Sequence, residues 1–304
     1  MNYKKIIKNQ QLRFKILRAL SWIPDSLMLR IQYRIKMGFW PDLGNPKRFT
    51  EKIQLYKMEY RNLVMHQCVD KYEVRKYVEN KGLGSILNEL YGVYDSPDKI
   101  DFSILPEKFV IKTTDGSGGQ NVIVVKNKKE ADFDDILQRL CLWHGSKKSG
   151  ASLGREWAYE GQYPPRIIIE RYLENSADRQ EYNNSQPCLT DYKFFCFNGE
   201  PFCVQVDSGR YDAHRQNFYD MQWQSLGVHC SYPEGQGVVK PEVFDEMKKL
   251  ASLLSKEFPF VRVDLYDVDE KVYFGELTFY PSSGYGSFKP DSFDFKLGSL
   301  FTEY

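Results

Sequence analysis

The sequence predicts an α+β chain of two or three subdomains, and three observations carry that prediction. Two stretches of alternating pattern, residues 191–207 and 261–284, each read as a strand, a tight turn and a second strand, so antiparallel pairing dominates. A third, 109–125, reads as strand, glycine-rich loop, strand. Helical periodicity lies between these stretches, and 304 residues exceed a single small core.

Composition narrows the function classes. With 42 Lys+Arg against 41 Asp+Glu the net charge is +1, so no global basic field exists to bind nucleic acid. No apolar run approaches the ~20 residues that span a bilayer, and no signal peptide is visible. The six cysteines contain no C-x-x-C pair, which reads as reduced thiols in a cytoplasmic protein. Aromatic residues reach 15%, with 21 Tyr and 20 Phe, which fits aromatic-rich strands or a carbohydrate-stacking surface.

Residues 1–36 hold nine bases and one acid, with Ile6, Ile7, Phe14, Ile16, Leu17 and Leu20 at helical spacing. Such a segment lies on an anionic membrane face or docks on its own domain, and both readings stand. Thr50 is the expected N-cap of the next helix, and a further helix from about Val69 carries Val74, Tyr77 and Val78 on one face. In 109–125, Lys112 precedes Gly116, Ser117, Gly118 and Gly119; glycines let backbone N–H groups ring a phosphate oxygen while the lysine adds charge. A Walker loop is excluded, because no G-K-[ST] leads into a helix. Phe133, Ile136, Leu137 and Leu140 mark an amphipathic helix, followed by a polar loop at 147–152.

The strand near 166–173 ends in Glu170, Arg171, Tyr172 and Leu173. In 191–207, two aromatic runs flank Asn198-Gly199, the pair favoured in type I′ turns. Lys193 shares a face with Phe195 and Phe197, company that implies a waiting anion or a snorkelling surface lysine. We read Lys193 as a phosphate-contacting cation and Asp191 as a ribose contact. The loop at 210–217 is dense in arginine, and Arg210 and Arg215 would hold an anionic acceptor such as a uronate. A helix over about 241–256 leads into 261–284, where Arg262 and Asp264 share one face of the first strand and Phe274, Glu276 and Thr278 one face of the second, so that Asp264, Glu276 and Arg262 converge if the strands pair as a hairpin. Two carboxylates and an arginine on a sheet suit Mg²⁺ with a phosphate. Residues 281–287, Ser283 among them, would cover the acceptor side.

Arg262-Val-Asp264 followed by Glu276-x-Thr278-x-x-Pro281 resembles the metal-binding end of the ATP-grasp ligases, whose pattern is R-x-D and then E-x-N before a proline. Thr278 departs from that asparagine and is a weaker metal ligand. Residues 38–54, G-F-W-P-D-L-G-N-P-K-R-F-T-E-K-I-Q, and then D-K-Y-E-V-R-K-Y-V narrow the resemblance to the TupA-like ATP-grasp family, over about 38–301. Members occur in bacterial surface-polysaccharide clusters and are often labelled glycosyltransferases.

The resemblance implies an ATP-grasp fold of two α+β subdomains gripping ATP, with a smaller N-terminal α/β region. The expected divisions are a basic helical segment at 1–37, an N-terminal subdomain at 38–105, a lid at 106–170 and a C-terminal subdomain at 171–304. It implies that Lys112 and Gly116–Gly119 cover the phosphates and that Arg171–Leu173 meet the adenine edge, with Glu170 near its amino group. Asp264, Glu276 and Thr278 would hold Mg²⁺, and Arg262 would meet developing charge. The reaction class is then ATP-dependent joining of a sugar carboxylate to an amino acid or amine through an acyl phosphate. A glycosyltransferase, with Asp267-Val268-Asp269 as its D-x-D, and a sugar kinase are the rivals. The expected location is the cytoplasm, with peripheral contact to the membrane or to polysaccharide assembly machinery through the basic segment.

Overall fold

The computed structural model describes residues 10–116, 121–145, 153–160, 163–176, 189–209 and 214–302. Its helices are α1 (Gln10–Ala19), α2 (Asp25–Met37), α3 (Phe49–Glu59), α4 (Val64–Val69), α5 (Glu73–Asn80), α6 (Phe133–Gly145), α7 (Phe244–Ser255) and α8 (Ser292–Leu300). Two antiparallel sheets face the site. The smaller contains β1 (Leu90–Tyr94), β2 (Phe109–Thr113), β3 (Val122–Val125) and β4 (Ile167–Arg171) in the order β1–β4–β2–β3. Along β2 the alternation puts Phe109 and Ile111 into a core with Ile123, Ile136, Leu140 and Ile169, which leaves Lys112 on the opposite face.

The larger sheet contains β5 (Asp191–Phe197), β6 (Glu200–Ser208), β7 (Arg215–Asp220), β9 (Phe260–Val268) and β10 (Lys271–Thr278), ordered β10–β9–β5–β6–β7. Short strands β8 (His229–Cys230) and β11 (Phe288–Lys289) pair separately. Asn198 and Gly199, at φ 50° and 82°, close β5 on β6, as expected of the Asn-Gly pair. The turn between β9 and β10 has the same handedness without glycine: Asp269 and Glu270 stand at φ 52° and 60°.

One face of this sheet packs on α7, where Phe194 stacks with Phe244 at 5.8 Å. The other face divides along the strands. Its aromatic end is covered by α3: Phe49 meets Phe260 at 4.8 Å, and Phe195 and Phe197 join the same cluster. Its polar end carries Lys193, Arg262 and Asp264. The phenylalanines beside Lys193 therefore belong to a core that stops where the cleft begins.

Three expectations are revised. The boundary at 106 falls inside the small sheet, because β1 pairs with β4. Residues 38–105 do not form a separate subdomain, since Ile53, Tyr56, Val74 and Tyr77 share one core with the large sheet. At the start of α3, Thr50 is already helical; its N–H and hydroxyl donate to Asp294 of α8 at 3.0 and 2.7 Å, so the orphan donors are met from a distant element.

Candidate active site

Strand register builds an ion-paired row on the polar end of the large sheet. Glu276 lies opposite Asp264, Asp264 opposite Lys193, and Lys193 opposite Gln205. Arg262 grips Asp264 with two parallel donors, Nε to Oδ1 at 2.7 Å and Nη2 to Oδ2 at 2.6 Å. The same Nη2 reaches Thr278 Oγ1 at 3.1 Å and Glu276 Oε1 at 3.4 Å. Lys193 is 5% exposed, and its Nζ stands 2.9 Å from Asp191, 3.2 Å from Asp207 and 3.8 Å from Asp264. It is not a snorkelling lysine, and the anions around it are the protein's own carboxylates.

A bulge aims Glu276 into this row. Phe274 pairs with Leu265 and Glu276 with Asp264, so Gly275 is the extra residue. Phe274 thus lies on the Leu265 face while Glu276 turns to the Asp264 face. The simple alternation that grouped Phe274 with Glu276 is corrected by this one residue. A Cβ at 275 would stand 2.9 Å from the Asp264 carbonyl oxygen and 2.9 Å from the Tyr266 ring, so the bulge requires glycine.

Burial pushes the Asp264 carboxyl up to about 6, against the opposing pull of Arg262 and Lys193. Desolvation also raises Glu276, but Arg262, Lys71 and Lys193 outweigh it and hold that carboxyl below its ordinary value. Its side chain is 45% exposed and faces the open cleft. Burial opposes charge on Arg262 as well; Asp264 and Glu276 more than reverse this and keep the guanidinium charged. Asp207 follows the Glu276 pattern, with Lys193 and the Gln216 and Gln205 amides overcoming desolvation to lower it.

The small sheet faces this row with a second set. Lys112 pairs with Glu170 at 2.7 Å, and Arg75 of α5 approaches the same carboxylate at 3.5 Å. The Arg171 N–H donates to the Glu89 carbonyl at 3.0 Å, and its own carbonyl accepts from Asn88 at 2.8 Å. The backbone edge beyond this strand therefore begins at Tyr172 and Leu173. The Arg171 guanidinium reaches the Tyr273 hydroxyl at 2.6 Å, tying the two sheets together. Gly116 donates its N–H to the Thr113 carbonyl, while its own carbonyl accepts from Lys71. Ser117, Gly118, Gly119 and Arg210 lie outside the described residues.

Lys71 is a site residue that sequence reasoning passed over. Asp70 Oδ1 accepts the N–H groups of Tyr72 and Glu73, both at 2.9 Å, which starts α5 and breaks the helical path at Lys71. That break lets the ammonium reach the Gly116 carbonyl past the end of β2; burial lowers its pKa against the opposing pull of Glu276. Asp207, Gln205 and Gln216 were also missed. Gln216 Nε2 bonds Asp207 Oδ1 at 3.0 Å, so Arg215, its neighbour in the strand, leaves on the opposite face from the ion-paired row.

Ser283 is held by a buried cation. Lys57 Nζ donates to the Ser283 carbonyl at 2.7 Å and hydroxyl at 2.8 Å, and Glu156 stands 3.6 Å away. Ser282 and Ser283 take left-handed φ values of 49° and 56°, a turn this lysine fastens. Burial lowers Lys57 to about 8 from its ordinary 10.5, so the folded protein binds fewer protons than the unfolded chain between those values. Its contribution to stability is fully present above pH 10.5 and is lost as pH falls through about 8. Lys57→Met is expected to flatten that slope, about 3 kcal/mol across the window, measured by denaturant unfolding at pH 7.5 and 10.

Asp269 of the D-x-D triplet is occupied elsewhere. Its oxygens take the Ser176 N–H and hydroxyl, both at 2.8 Å, which clamps residues 175–176 to the hairpin turn.

Asp264, Glu276 and Thr278 offer two carboxylates and a hydroxyl, all hard oxygens on adjacent strands. This donor set fits Mg²⁺, which takes one or two carboxylates and leaves its other positions to water and phosphate. Among the described residues no group of three or more His, Cys, Asp or Glu could enclose a metal.

Comparison with known proteins agrees with the reading of the fold. Among solved structures, D-alanine–D-alanine ligase from Bacillus anthracis is similar at 14% identity and TM-score 0.42, over 70% of this chain and 57% of that one. L-amino acid ligase from Bacillus licheniformis is similar at 14% identity and TM-score 0.44, over 77% of this chain and 49% of that one. The chain spans less than two thirds of the length of either ligase. No curated protein matches it. The model of the family described as TupA-like ATPgrasp matches residues 51–302, most of the chain. The chain belongs to the TupA-like ATP-grasp family, and its fold is the α+β ATP-grasp fold.

Proposed function

We propose that the chain is an ATP- and Mg²⁺-dependent carboxylate–amine ligase that joins a sugar carboxylate, a uronic acid, to an amino acid or amine during capsular or cell-wall polysaccharide synthesis. The observation that carries the reading is the Glu276–Asp264–Lys193 row with Arg262 across it, facing the Lys112–Glu170 pair. Family membership over residues 51–302 supports the nucleotide, and the bacterial surface-polysaccharide clusters in which members of that family occur support the polysaccharide setting.

Asp264 and Glu276, with Thr278, would hold Mg²⁺, which neutralises phosphate oxygens when bound. Lys112 approaches from the small sheet, Lys71 from the turn before α5 and Lys193 from the large sheet, so the triphosphate is gripped from both sides. The acceptor carboxylate attacks the γ-phosphorus; its O–P bond forms as the bond to ADP breaks. The acyl carbon, now bearing phosphate as leaving group, is attacked by the amine nitrogen. The C–N bond forms, phosphate departs, and the amine proton passes to solvent. Arg262 presents a fixed fork where negative charge develops, and its partners keep it charged at every working pH. No protein nucleophile is called on. This suits the described cysteines: burial pushes Cys196 up to about 12 and Cys230 to about 11, holding both as thiols.

The test is product analysis by mass spectrometry on wild type with MgATP and a panel of uronic acid–amine pairs. Amide, ADP and phosphate in equal amounts are expected. A phosphorylated sugar with ADP and no free phosphate would establish the kinase instead. Glycosidic product from a nucleotide sugar without ATP would establish the glycosyltransferase.

A further inference from the structure

We propose that α1 and α2 form a docking surface for an anionic lipid bilayer, with their outward faces lying in the headgroup layer. This goes beyond the ligase reading and stands independently of it.

Charge is the first observation. The first 36 residues carry nine bases and one acid, +8, so a chain of net +1 carries −7 elsewhere. The net positive charge is concentrated at one end of the sequence, as a bilayer anchor needs and a uniformly soluble surface does not.

The second observation is where the apolar side chains point. On α2, Met28, Leu29, Gln32 and Tyr33 are buried against the domain. Leu27, Ile31 and Ile35, at i, i+4 and i+8, form the outward stripe, and Leu27 and Ile35 are 51% and 43% exposed. Arg30 and Arg34 flank that stripe, one helical row away. α1 repeats the pattern: Leu12 and Ile16 are exposed four residues apart beside exposed Lys15 and Arg18, while Leu17 turns inward to line a small cavity with Met28 and Leu153. The inward face of α2 is already satisfied, so its outward leucine and isoleucines are surplus to the fold.

The third observation is the pair of tryptophans at either end of α2. Trp22 is 78% exposed and Trp40 63%. Trp22 does not dangle. Its turn is pinned by Arg155, whose guanidinium donates to the carbonyls of Ser21 at 3.2 Å and Ile23 at 3.1 Å and pairs with Asp25 at 2.8 Å. The one acid of the segment is thereby neutralised, and a large indole is held out into solvent by a fixed turn. Exposed tryptophan beside arginine and aliphatic rows is the composition of an interfacial helix, where the ring sits at headgroup depth and the bases meet lipid phosphate. No helix among the described residues is long and apolar enough to cross a membrane, so the contact is in-plane.

The experiment is co-sedimentation of the full chain with vesicles of pure phosphatidylcholine and with vesicles containing phosphatidylglycerol, at low and high salt. Binding to the anionic vesicles that weakens with salt is expected. Trp22→Ser with Leu27→Ser, and separately Lys15→Glu with Arg18→Glu, should each reduce that partitioning about tenfold or more. The control Ile104→Ser with Val239→Ser removes apolar residues 71% and 87% exposed elsewhere and should leave it unchanged. Unfolding midpoints of all variants confirm that they fold. Failure of the wild type to sediment, equal binding to both vesicles, or unaltered binding by the variants would overturn the proposal. So would a wild type that self-associates without vesicles and becomes monomeric in the variants, since the surface would then be a protein interface.

Discussion

Asp264→Asn is expected to lower MgATP affinity at least about 100-fold while metal-free nucleotide affinity changes little, as read by calorimetry with and without Mg²⁺. Asp264 is the carboxylate that joins both cations of the row: Arg262 grips it from the same strand and Lys193 stands on the next, while Glu276 lies opposite it across the hairpin. An amide keeps the shape but cannot balance Arg262 and Lys193, and it is a poorer ligand for a hard divalent ion. The wild-type protein should also show a characteristic pH response. Without metal, burial raises Asp264 to about 6, so the folded state binds an extra proton between the ordinary carboxylate pKa and that value. Its contribution to stability is therefore fully present below about pH 4 and lost as pH rises through about 6. Metal binding must displace that proton, so MgATP affinity should fall as pH drops below 6, and the fall should be absent in Asp264→Asn. Equal MgATP affinities for the two proteins at pH 8 would remove Asp264 from the metal site.

What the sequence made legible, and what it hid, follows from the range over which each signal acts. The two hairpins were visible because their alternation and turn residues are local, and Asn198-Gly199 needs only neighbouring positions to be understood. Arg262, Asp264 and Glu276 were visible through spacing that matches a known pattern. That they converge followed if the two strands pair as a hairpin; the bulge that brings it about did not show. Periodicity says that Glu276 shares a face with Thr278, but only the partner strand shows that the face is that of Asp264. Lys193 was singled out for its phenylalanine neighbours, yet its carboxylate ring needs β6 as well as β9, strands that approach only in the fold. Asp207 ends an apolar run and reads as a surface acid; two amides and a lysine bury it. Lys71 sits in a run that resembles one continuous helix, and only the Asp70 caps reveal the break. Subdomain limits were misjudged for a related reason. An amphipathic helix announces that it has a core, not which core, and α3 and α5 turn their faces to strands more than a hundred residues away.

Gly275→Val should cost MgATP affinity about tenfold or more and destabilise the fold by about 1–3 kcal/mol, although it touches no charged atom. Glu276 faces Asp264 only because Gly275 occupies one extra position between Phe274 and Glu276. Any side chain there enters the Asp264 carbonyl and the Tyr266 ring, each 2.9 Å from the ideal Cβ, so β9 and β10 must separate where the ion-paired row crosses them. The simplest relief is loss of the bulge, and a one-residue slip turns Glu276 and Thr278 toward the core face and Leu277 into the cleft. Burying a carboxylate there is costly, so local fraying is the expected compromise. The two losses should separate on titration with Mg²⁺. A merely destabilised site regains full nucleotide affinity once the protein is kept folded at low temperature; a misaimed Glu276 leaves the metal-dependent part of binding weak at every temperature. Gly275→Ala should fall between, since a lone methyl meets the same two obstacles with less reach. If Gly275→Val binds MgATP as wild type does, the bulge is a feature of the hairpin alone, and Glu276 is not held for the metal by its aim.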